Sequence, residues 1–599
     1  MRAASTLNIS PKSALTVAPF AHGATLTRTA AFVLLAIFVC LGLIGHDPWK
    51  QDEAYAFGIV YSMLNSGDWV VPTLAGEPFM EKPPLVYLLA ALTAKLTSSF
   101  LPLHDGARLA SGVLSAITIA ATALSARAIF GKHNGSGRIA ALVLVACLGF
   151  VMHARVLLTD LGVIAGVAIA LYGFITIFSR RDFALPAILI GTGAGIAFLS
   201  KGLVGIAVLG ATALALPMLF KQWRSRRYAA ILAIAFVAAL PWLVVWPTAL
   251  YLRSPALFYD WFWLNNVGRF LGFAVPTLGA KNENWLVWQT MLWFTFPALP
   301  LVMWAWWKKA LDWRTMPGVQ IGFTFVAVYM LMLTVSASGR DNYFLPLLPA
   351  VAMLAVPALR VLPRWINCVG GVASLLVFIA AATFVWVVWL IAVQTGTPPD
   401  WPLLTKHLPP DFKISLAIAI CVLAVLLTYI LLHIITSQWR APTFLLSAWC
   451  GGILIFGVAV STLLMPWLDA AKSYRQPFTA MRAQLPSDAG CLSVHRVGES
   501  ERGVLHYFMD QVPTRYDATH ATTAPRCPFV LAQGFQHDTS VLNDIAYRRV
   551  LWTGARQGDK REQFWLLDLR QDLNLPQNVA SIKKEMKPDY WQASRGKMP

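Results

Sequence analysis

The run INCVGGVASLLVFIAAATFVWVVWLIAV, from Ile366 to Val393, contains no Asp, Glu, Lys, Arg or His. About 20 apolar residues suffice for a helix to cross the hydrocarbon core of a bilayer, so this stretch can span with tilt. It follows Arg360 and Arg364, and comparable runs recur on both sides of it between Ala30 and Met465. The 599-residue chain is 57% hydrophobic and 13% charged, with a mean hydropathy of +0.59. Soluble chains average about 45–50% apolar and about 25% charged. Up to residue 465, a soluble enzyme, a secreted disulfide scaffold and a disordered chain are excluded. The pattern predicts an all-α polytopic membrane protein.

Thirteen spans are read, at approximately 29–45, 107–129, 139–156, 159–178, 184–200, 202–220, 229–250, 286–306, 318–337, 343–359, 366–393, 414–435 and 442–465. Pro84–Ala94 is apolar but short and meets Lys95, which predicts a juxtamembrane or re-entrant helix. The 48 Lys and Arg exceed the 29 Asp and Glu, giving a net charge of +19 and a pI near 9.8. The basic residues sit in short clusters between apolar runs, as topology signals do, so no nucleic-acid partner is expected. With Arg2, Lys12 and Arg28 inside, every loop on that side is basic: Arg127/Lys132/Arg138, Arg180/Arg181, Lys221/Arg224/Arg226/Arg227, Lys308/Lys309/Arg314, Arg360/Arg364 and Arg440. The first span lacks a small-residue cleavage site and reads as an uncleaved signal-anchor.

An odd number of spans divides the chain into a membrane domain, 1–465, and an exported domain, 466–599; residues 46–106 form the first exterior loop. In the exported part charges return, and Cys491–Val494, Pro528–Ala532, Val550–Trp552 and Phe564–Leu567 read as strands, with a helix over Arg502–Met509. A small α/β domain follows from that alternation. Cys491 and Cys527 are disulfide candidates there. The other five cysteines fall in spans and read as small apolar residues.

The same topology gathers ionisable residues on one face. Asp52, Glu53, Glu81, Lys82, Asp160, Lys201, Arg269 and Tyr343 all lie in or beside exterior segments. Ionisable groups at membrane depth are functional candidates by default. Each also has a plainer role: Asp52 and Asp160 as helix N-caps, Lys201 as an interfacial lysine reaching for water. Acids together with Lys and Arg on one face suit a reaction that grips a phosphate and positions a nucleophilic oxygen.

Asp52-Glu53, Ser66-Gly-Asp-Trp69, Glu81-Lys-Pro-Pro84, Asp160 and Tyr343-Phe-Leu-Pro-Leu-Leu-Pro349 resemble, in order and side, the bacterial GT-C glycosyltransferases of the protein-mannosyltransferase-like superfamily. Within it they are most like lipid A 4-amino-4-deoxy-L-arabinose transferases. The resemblance implies a GT-C fold and transfer of a sugar from an undecaprenyl monophosphate carrier to lipid A or a related envelope glycolipid. It places the protein in a bacterial inner membrane with its active site and C-terminal domain facing the periplasm. Asp52 would act as base or acceptor-positioning carboxylate, supported by Asp160 and by the adjacent Glu53. Glu81, Lys82 and Tyr55 would line the same cavity, and Lys201, Arg269 and Tyr343 would hold the carrier phosphate. One departure stands out: where the arabinose transferases carry Arg and Tyr after the Asp-Glu pair, this chain has Tyr55 and Ala56.

Two other functions remain open: protein O-glycosylation, and flipping of a lipid-linked sugar. A flippase would set polar residues along a path through the bilayer midplane; here the span centres are almost free of them. No cofactor is expected. Asp52, Glu81 and Asp160 could share a divalent cation, but no metal motif surrounds them, and no metal site is assigned.

Overall fold

The computed structural model describes residues 27–570 apart from 132–134, 279–283, 407, 410, 414–416, 487–488, 517–526, 546 and 560. Arg2, Lys12 and Lys132, used in the charge reading, lie outside the described residues. Among the described residues, eight helices are long and apolar enough to cross a membrane: Leu103–Phe130, Asp160–Ser179, Ala184–Lys201, Arg226–Arg253, Pro317–Val335, Arg364–Thr395, Ile418–Thr436 and Phe444–Lys472. Five shorter apolar helices accompany them: Arg28–Cys40, Leu85–Thr97, Ser136–Ala146, Leu203–Leu219 and Ala298–Trp307. The protein is a multi-pass membrane protein.

Burial separates an inner layer from an outer one. The apolar window of Asp160–Ser179 is 83% buried, whereas that of Ile418–Thr436 is only 17% buried and presents its apolar surface to lipid. The inner helix is brought close to its successor by glycine. A Cβ on Gly166 would stand 2.4 Å from the carbonyl oxygen of Gly193, and one on Gly193 would meet that of Gly166 at the same distance. Backbone-to-backbone contact of this kind drives helix association where no hydrophobic effect operates.

Three expected spans are not single helices. The stretch 343–359 is a 3₁₀ segment, Asp341–Leu347, followed by Leu348–Leu354 and Ala358–Val361. Pro346, Pro349 and Pro357 remove the N–H groups a continuous helix would use. Almost all of this stretch is buried, so protein rather than lipid surrounds its irregular backbone. Likewise 286–306 breaks at Pro297, and 139–156 breaks at Cys147 into Ser136–Ala146 and Leu148–His153. The two breaks satisfy one another, since the Leu148 N–H donates to the Phe296 carbonyl at 3.0 Å.

Beyond the last span, five strands form one sheet in the order Thr514–Arg515, Leu492–His495, Phe529–Phe535, Glu562–Asp568, Arg549–Gly554. The first two pairings are parallel and the last two antiparallel. Alternation along the central strand buries Phe529 and Leu531 on one face with Phe564 and Leu566, and Val530 and Ala532 on the other with Trp565 and Leu567. The four expected strands are present, three of them longer than the sequence pattern indicated and the first shifted by one residue; the two-residue Thr514–Arg515 strand is too short to announce itself. Cys491 and Cys527 form a disulfide with Cα atoms 5.1 Å apart, joining the starts of two neighbouring strands.

Helix Glu499–Met509 of this region docks on helix Asp52–Ser66 of the first loop. A Cβ on Gly58 would lie 2.5 Å from Gly503 Cα, so these two helices also touch through backbone. Polar ties surround that contact. Lys50 Nζ lies 2.7 Å from Glu501 and 3.2 Å from Glu562. Ser500 Oγ donates to the Gln51 carbonyl at 2.8 Å, Arg502 pairs with Glu77 at 2.6 Å, and Asp47 is ion-paired with Arg475.

Candidate active site

The hairpin of Asp160–Ser179 and Ala184–Lys201 returns the chain so that its first and last residues meet. Lys201 Nζ forms an ion pair with Asp160 Oδ1 and lies 3.7 Å above the Tyr343 ring. The second Asp160 oxygen accepts from Asn342 Nδ2 at 3.2 Å. Asn342 and Tyr343 come from the 3₁₀ segment that the prolines create, so the break places two side chains at this end of the bundle. Asp160 is the first residue of its helix, and its two carboxylate oxygens are taken up by Lys201 and Asn342. Lys201 is 16% exposed and turned inward. The N-cap and water-seeking alternatives for these two residues do not describe them.

The first loop supplies the facing wall. Lys82 donates to the Tyr55 hydroxyl, which in turn donates to Asp52 Oδ1 at 3.0 Å. Arg340 Nη1 approaches the same Asp52 oxygen at 3.4 Å. Asp52 is the first residue of its helix, and its Oδ1 is engaged by Tyr55 and Arg340. Burial and the nearby Asp52 carboxylate hold the Tyr55 phenol well above its ordinary pKa, so it serves as a neutral donor. For Lys82, burial disfavours the charge, but Tyr87, Asp52, Glu81 and Asp160 more than offset it and its pKa is raised. The ammonium therefore persists. Glu81 is paired with Arg269 at 2.5 Å. Arg269 follows a π-helical segment, Asp260–Gly268, in which Asn266 Oδ1 accepts from the Leu203 N–H at 3.0 Å and so ties the segment to the Lys201 hairpin.

These groups enclose a cavity of about 320 Å³ lined by Glu81, Lys82, Asp160, Lys201, Arg269 and Tyr343 among apolar side chains that include Val163, Leu203, Val204, Phe270, Leu271, Met332 and Leu333. Six of the nine expected site residues thus line one cavity. Asp52 and Tyr55 stand one layer behind it, joined to it through Lys82. Glu53 does not belong there. Its carboxylate is buried against Arg108, 2.6 Å from Nε, and accepts from the Trp49 N–H at 3.2 Å. Arg108 is further bound to Asp105 and to the carbonyls of Leu43 and His46. A carboxylate so engaged ties the loop to Arg108, and Glu53 is not among the residues that line the cavity.

Asn342 entered the site unannounced, because a neutral side chain carries no pattern until the fold brings it to Asp160; Arg340, one of the ionisable residues of the exterior segments, comes to Asp52. Glu499, from the sheet region, also borders the site; burial and the charge of Glu81 raise its pKa. Among the described residues no group of three His, Cys, Asp or Glu is placed to hold a metal. Asp52, Glu81 and Asp160 each face a cation instead. Three cations at an apolar-walled cavity can hold a phosphate joined to a hydrocarbon chain, with the charge directed to Lys82, Lys201 and Arg269 and the chain along the Leu and Val wall.

Residues 81–246 match the family model described as dolichyl-phosphate-mannose-protein mannosyltransferase. A curated relative, the undecaprenyl phosphate-alpha-4-amino-4-deoxy-L-arabinose arabinosyl transferase of Pseudomonas aeruginosa (strain UCBPP-PA14), is 27% identical over 357 residues, covering 56% of this chain and 59% of the relative. The enzyme of the same description from Aeromonas hydrophila is 26% identical, covering 60% of this chain and 66% of its own. The match thus spans about three-fifths of the length of these curated relatives. Among solved structures, ArnT from Cupriavidus metallidurans bound to undecaprenyl phosphate superposes with a TM-score of 0.66 at 18% identity, covering 92% of this chain and 98% of that one. Its apo form gives 0.62 over 90% and 97%. By architecture, by matched family model and by curated relatives together, the chain has the GT-C fold of the membrane glycosyltransferases and is similar to their undecaprenyl-phosphate-aminoarabinose branch.

Proposed function

We propose that this protein transfers 4-amino-4-deoxy-L-arabinose from an undecaprenyl monophosphate carrier to lipid A or a related envelope glycolipid, on the periplasmic face of a bacterial inner membrane. One observation carries the reading: Lys82, Lys201 and Arg269 converge on an apolar-walled cavity, beside Asp160 and Glu81, in the fold of a protein crystallised with that carrier lipid. In the reaction the bond from the sugar's anomeric carbon to the carrier phosphate oxygen breaks, and the electron pair leaves with the phosphate. The three cations stabilise that developing charge in a site where low dielectric makes each worth more than in water. Asp160 holds the Lys201 ammonium in place against the Tyr343 ring. Asp52, oriented by Tyr55, positions the acceptor oxygen and takes its proton if it carries one. Two acids in one site say nothing here about retention or inversion, since they do not flank a bound sugar. The sheet region would form a periplasmic domain from residue 466, clamped over the first loop.

Mass spectrometry of lipid A from cells with and without the protein tests the reading; a mass increment for the amino sugar that depends on the protein is expected. Identical spectra would overturn the lipid A assignment. A second reading, transfer to protein hydroxyls, is favoured by the description of the matched family model over 81–246. A purified enzyme that glycosylates a Ser/Thr peptide from the lipid-linked donor would replace the first reading with this one.

A further inference from the structure

Beside Asp52 the structure presents a further cation that does not line the cavity, Arg340. Arg340 stands in extended backbone just before the 3₁₀ segment, and its carbonyl accepts from the Tyr343 N–H at 3.2 Å. Its position is therefore tied to the residue that stacks under Lys201. The guanidinium makes one contact among the described residues, the 3.4 Å approach of Nη1 to Asp52 Oδ1. An arginine offers five N–H donors in a planar fork, so four remain open, on a side chain 47% exposed. The second oxygen of Asp52 accepts no hydrogen bond from the described residues. A free fork and a free carboxylate oxygen thus lie side by side, on residues that do not themselves line the cavity.

Position matters because of what is missing nearby. The first loop carries Tyr55 where the resembled transferases carry Arg, and Tyr55 spends its hydroxyl between Lys82 and Asp52. Lys82, Lys201 and Arg269 are turned to the cavity, and Lys201 and Arg269 are each committed to a carboxylate. Among the described residues, Arg340 is the cation in direct contact with Asp52. We infer that Arg340 is the specificity-determining residue for the acceptor, gripping an anionic phosphate oxygen pair so that its third oxygen lies beside Asp52. The inference rests on the transferase reading above and deepens it by naming the acceptor's recognition group. In the step, the acceptor phosphate oxygen forms a bond to the anomeric carbon as the bond to the carrier phosphate breaks. A proton on the attacking oxygen passes to Asp52; a dianionic acceptor needs no such transfer. A neutral serine or threonine hydroxyl would leave the Arg340 fork unused, which is how the site would discriminate against protein acceptors.

The test uses full-length protein in detergent micelles, undecaprenyl-phosphate aminoarabinose as donor, and purified lipid A as the phosphate acceptor. Arg340→Gln is expected to raise KM for lipid A about 10- to 100-fold, as loss of charged hydrogen bonds to a phosphate does, while kcat at saturating acceptor falls less and undecaprenyl phosphate binds with wild-type affinity. Arg340→Lys keeps the charge but not the fork and should fall between the two. Unchanged KM in Arg340→Gln, or a loss confined to kcat or to carrier binding, overturns the assignment while leaving the transferase reading intact. Wild-type transfer to a Ser/Thr peptide but not to lipid A overturns it as well. If the wild-type protein transfers to neither, the transferase reading itself fails, and the assignment falls with it.

Discussion

Replacing Lys201 by Met removes an ammonium that the fold places between Asp160 and the Tyr343 ring, and two consequences can be separated. Asp160 is only 2% exposed, so it is left as a buried carboxylate with Asn342 as its remaining partner at 3.2 Å. Breaking one side of a buried pair costs about 3–5 kcal/mol where no other bond remains; with Asn342 retained, the lower end, roughly 3 kcal/mol, applies. Neutralising the orphan should return much of that loss, so the double variant Asp160→Asn/Lys201→Met should be more stable than Lys201→Met alone. Carrier binding follows a different rule. A charged hydrogen bond contributes about 1.5–3 kcal/mol, which is roughly 10- to 150-fold in affinity. That loss should persist in the double variant, because restoring neutrality does not restore a phosphate ligand. The measurements are thermal unfolding in detergent and equilibrium binding of undecaprenyl phosphate. Wild-type affinity in both variants would refute the phosphate role and leave Lys201 as a counter-ion to Asp160.

Asp52→Asn keeps the Tyr55 contact and loses the charge; transfer from purified lipid-linked donor should fall about 10²- to 10⁴-fold at unchanged protein level, and near-normal turnover would remove Asp52 from the site. Arg269→Ala should weaken carrier binding on the same scale as Lys201→Met, while Glu81→Gln, which frees Arg269, should not weaken it; equal losses in both would mean that the pair is only structural. A reporter active only in the periplasm should be active when fused after Pro599 and silent at Ser225, and the opposite pattern would invert the whole one-face argument. Burial raises the pKa of Asp47, but Arg475 and Ser473 outweigh it and hold the carboxyl below its ordinary value. A depressed folded pKa contributes stability that is present above the unfolded pKa of about 3.9 and lost as pH falls through the folded one. Thermal scans between pH 6 and pH 3 should therefore show a steeper decline for wild type than for Asp47→Asn, and parallel curves would count against the tie.

The membrane architecture was legible because length and apolarity are local properties: Ile366–Val393 reads the same alone as in the fold. The broken stretch 343–359 was not, since a buried segment wrapped in protein and a lipid-facing helix are equally apolar. Its three prolines were visible, but what they accomplish, delivering Asn342 and Tyr343 to Asp160, depends on a helix far away in sequence. Lys201 and Asp160 could be grouped from topology alone, whereas their direct pairing needed the glycine contact between their helices. Glu53 shows the converse. It sits beside Asp52 in sequence, yet alternate sides of one helical turn lead to different surroundings, and its partner Arg108 lies 55 residues on. Adjacency in the motif did not carry Glu53 to the wall of the cavity.

The contact between Gly58 and Gly503 also sets an order of events in time. Ala54, Ala56 and Ile59 on the first-loop helix are buried, and part of what covers that helix is made of residues more than four hundred positions later. During synthesis the loop bearing Asp52 emerges early and must wait, with an incomplete cover, until nearly the whole chain has followed. Completion of the site is therefore a late step, reached only when Gly503 arrives. A Gly58→Ala chain would insert its spans normally and fail at that last closure, because the added methyl meets first the Gly503 backbone at 2.5 Å, which cannot turn aside as the neighbouring Leu74 side chain can.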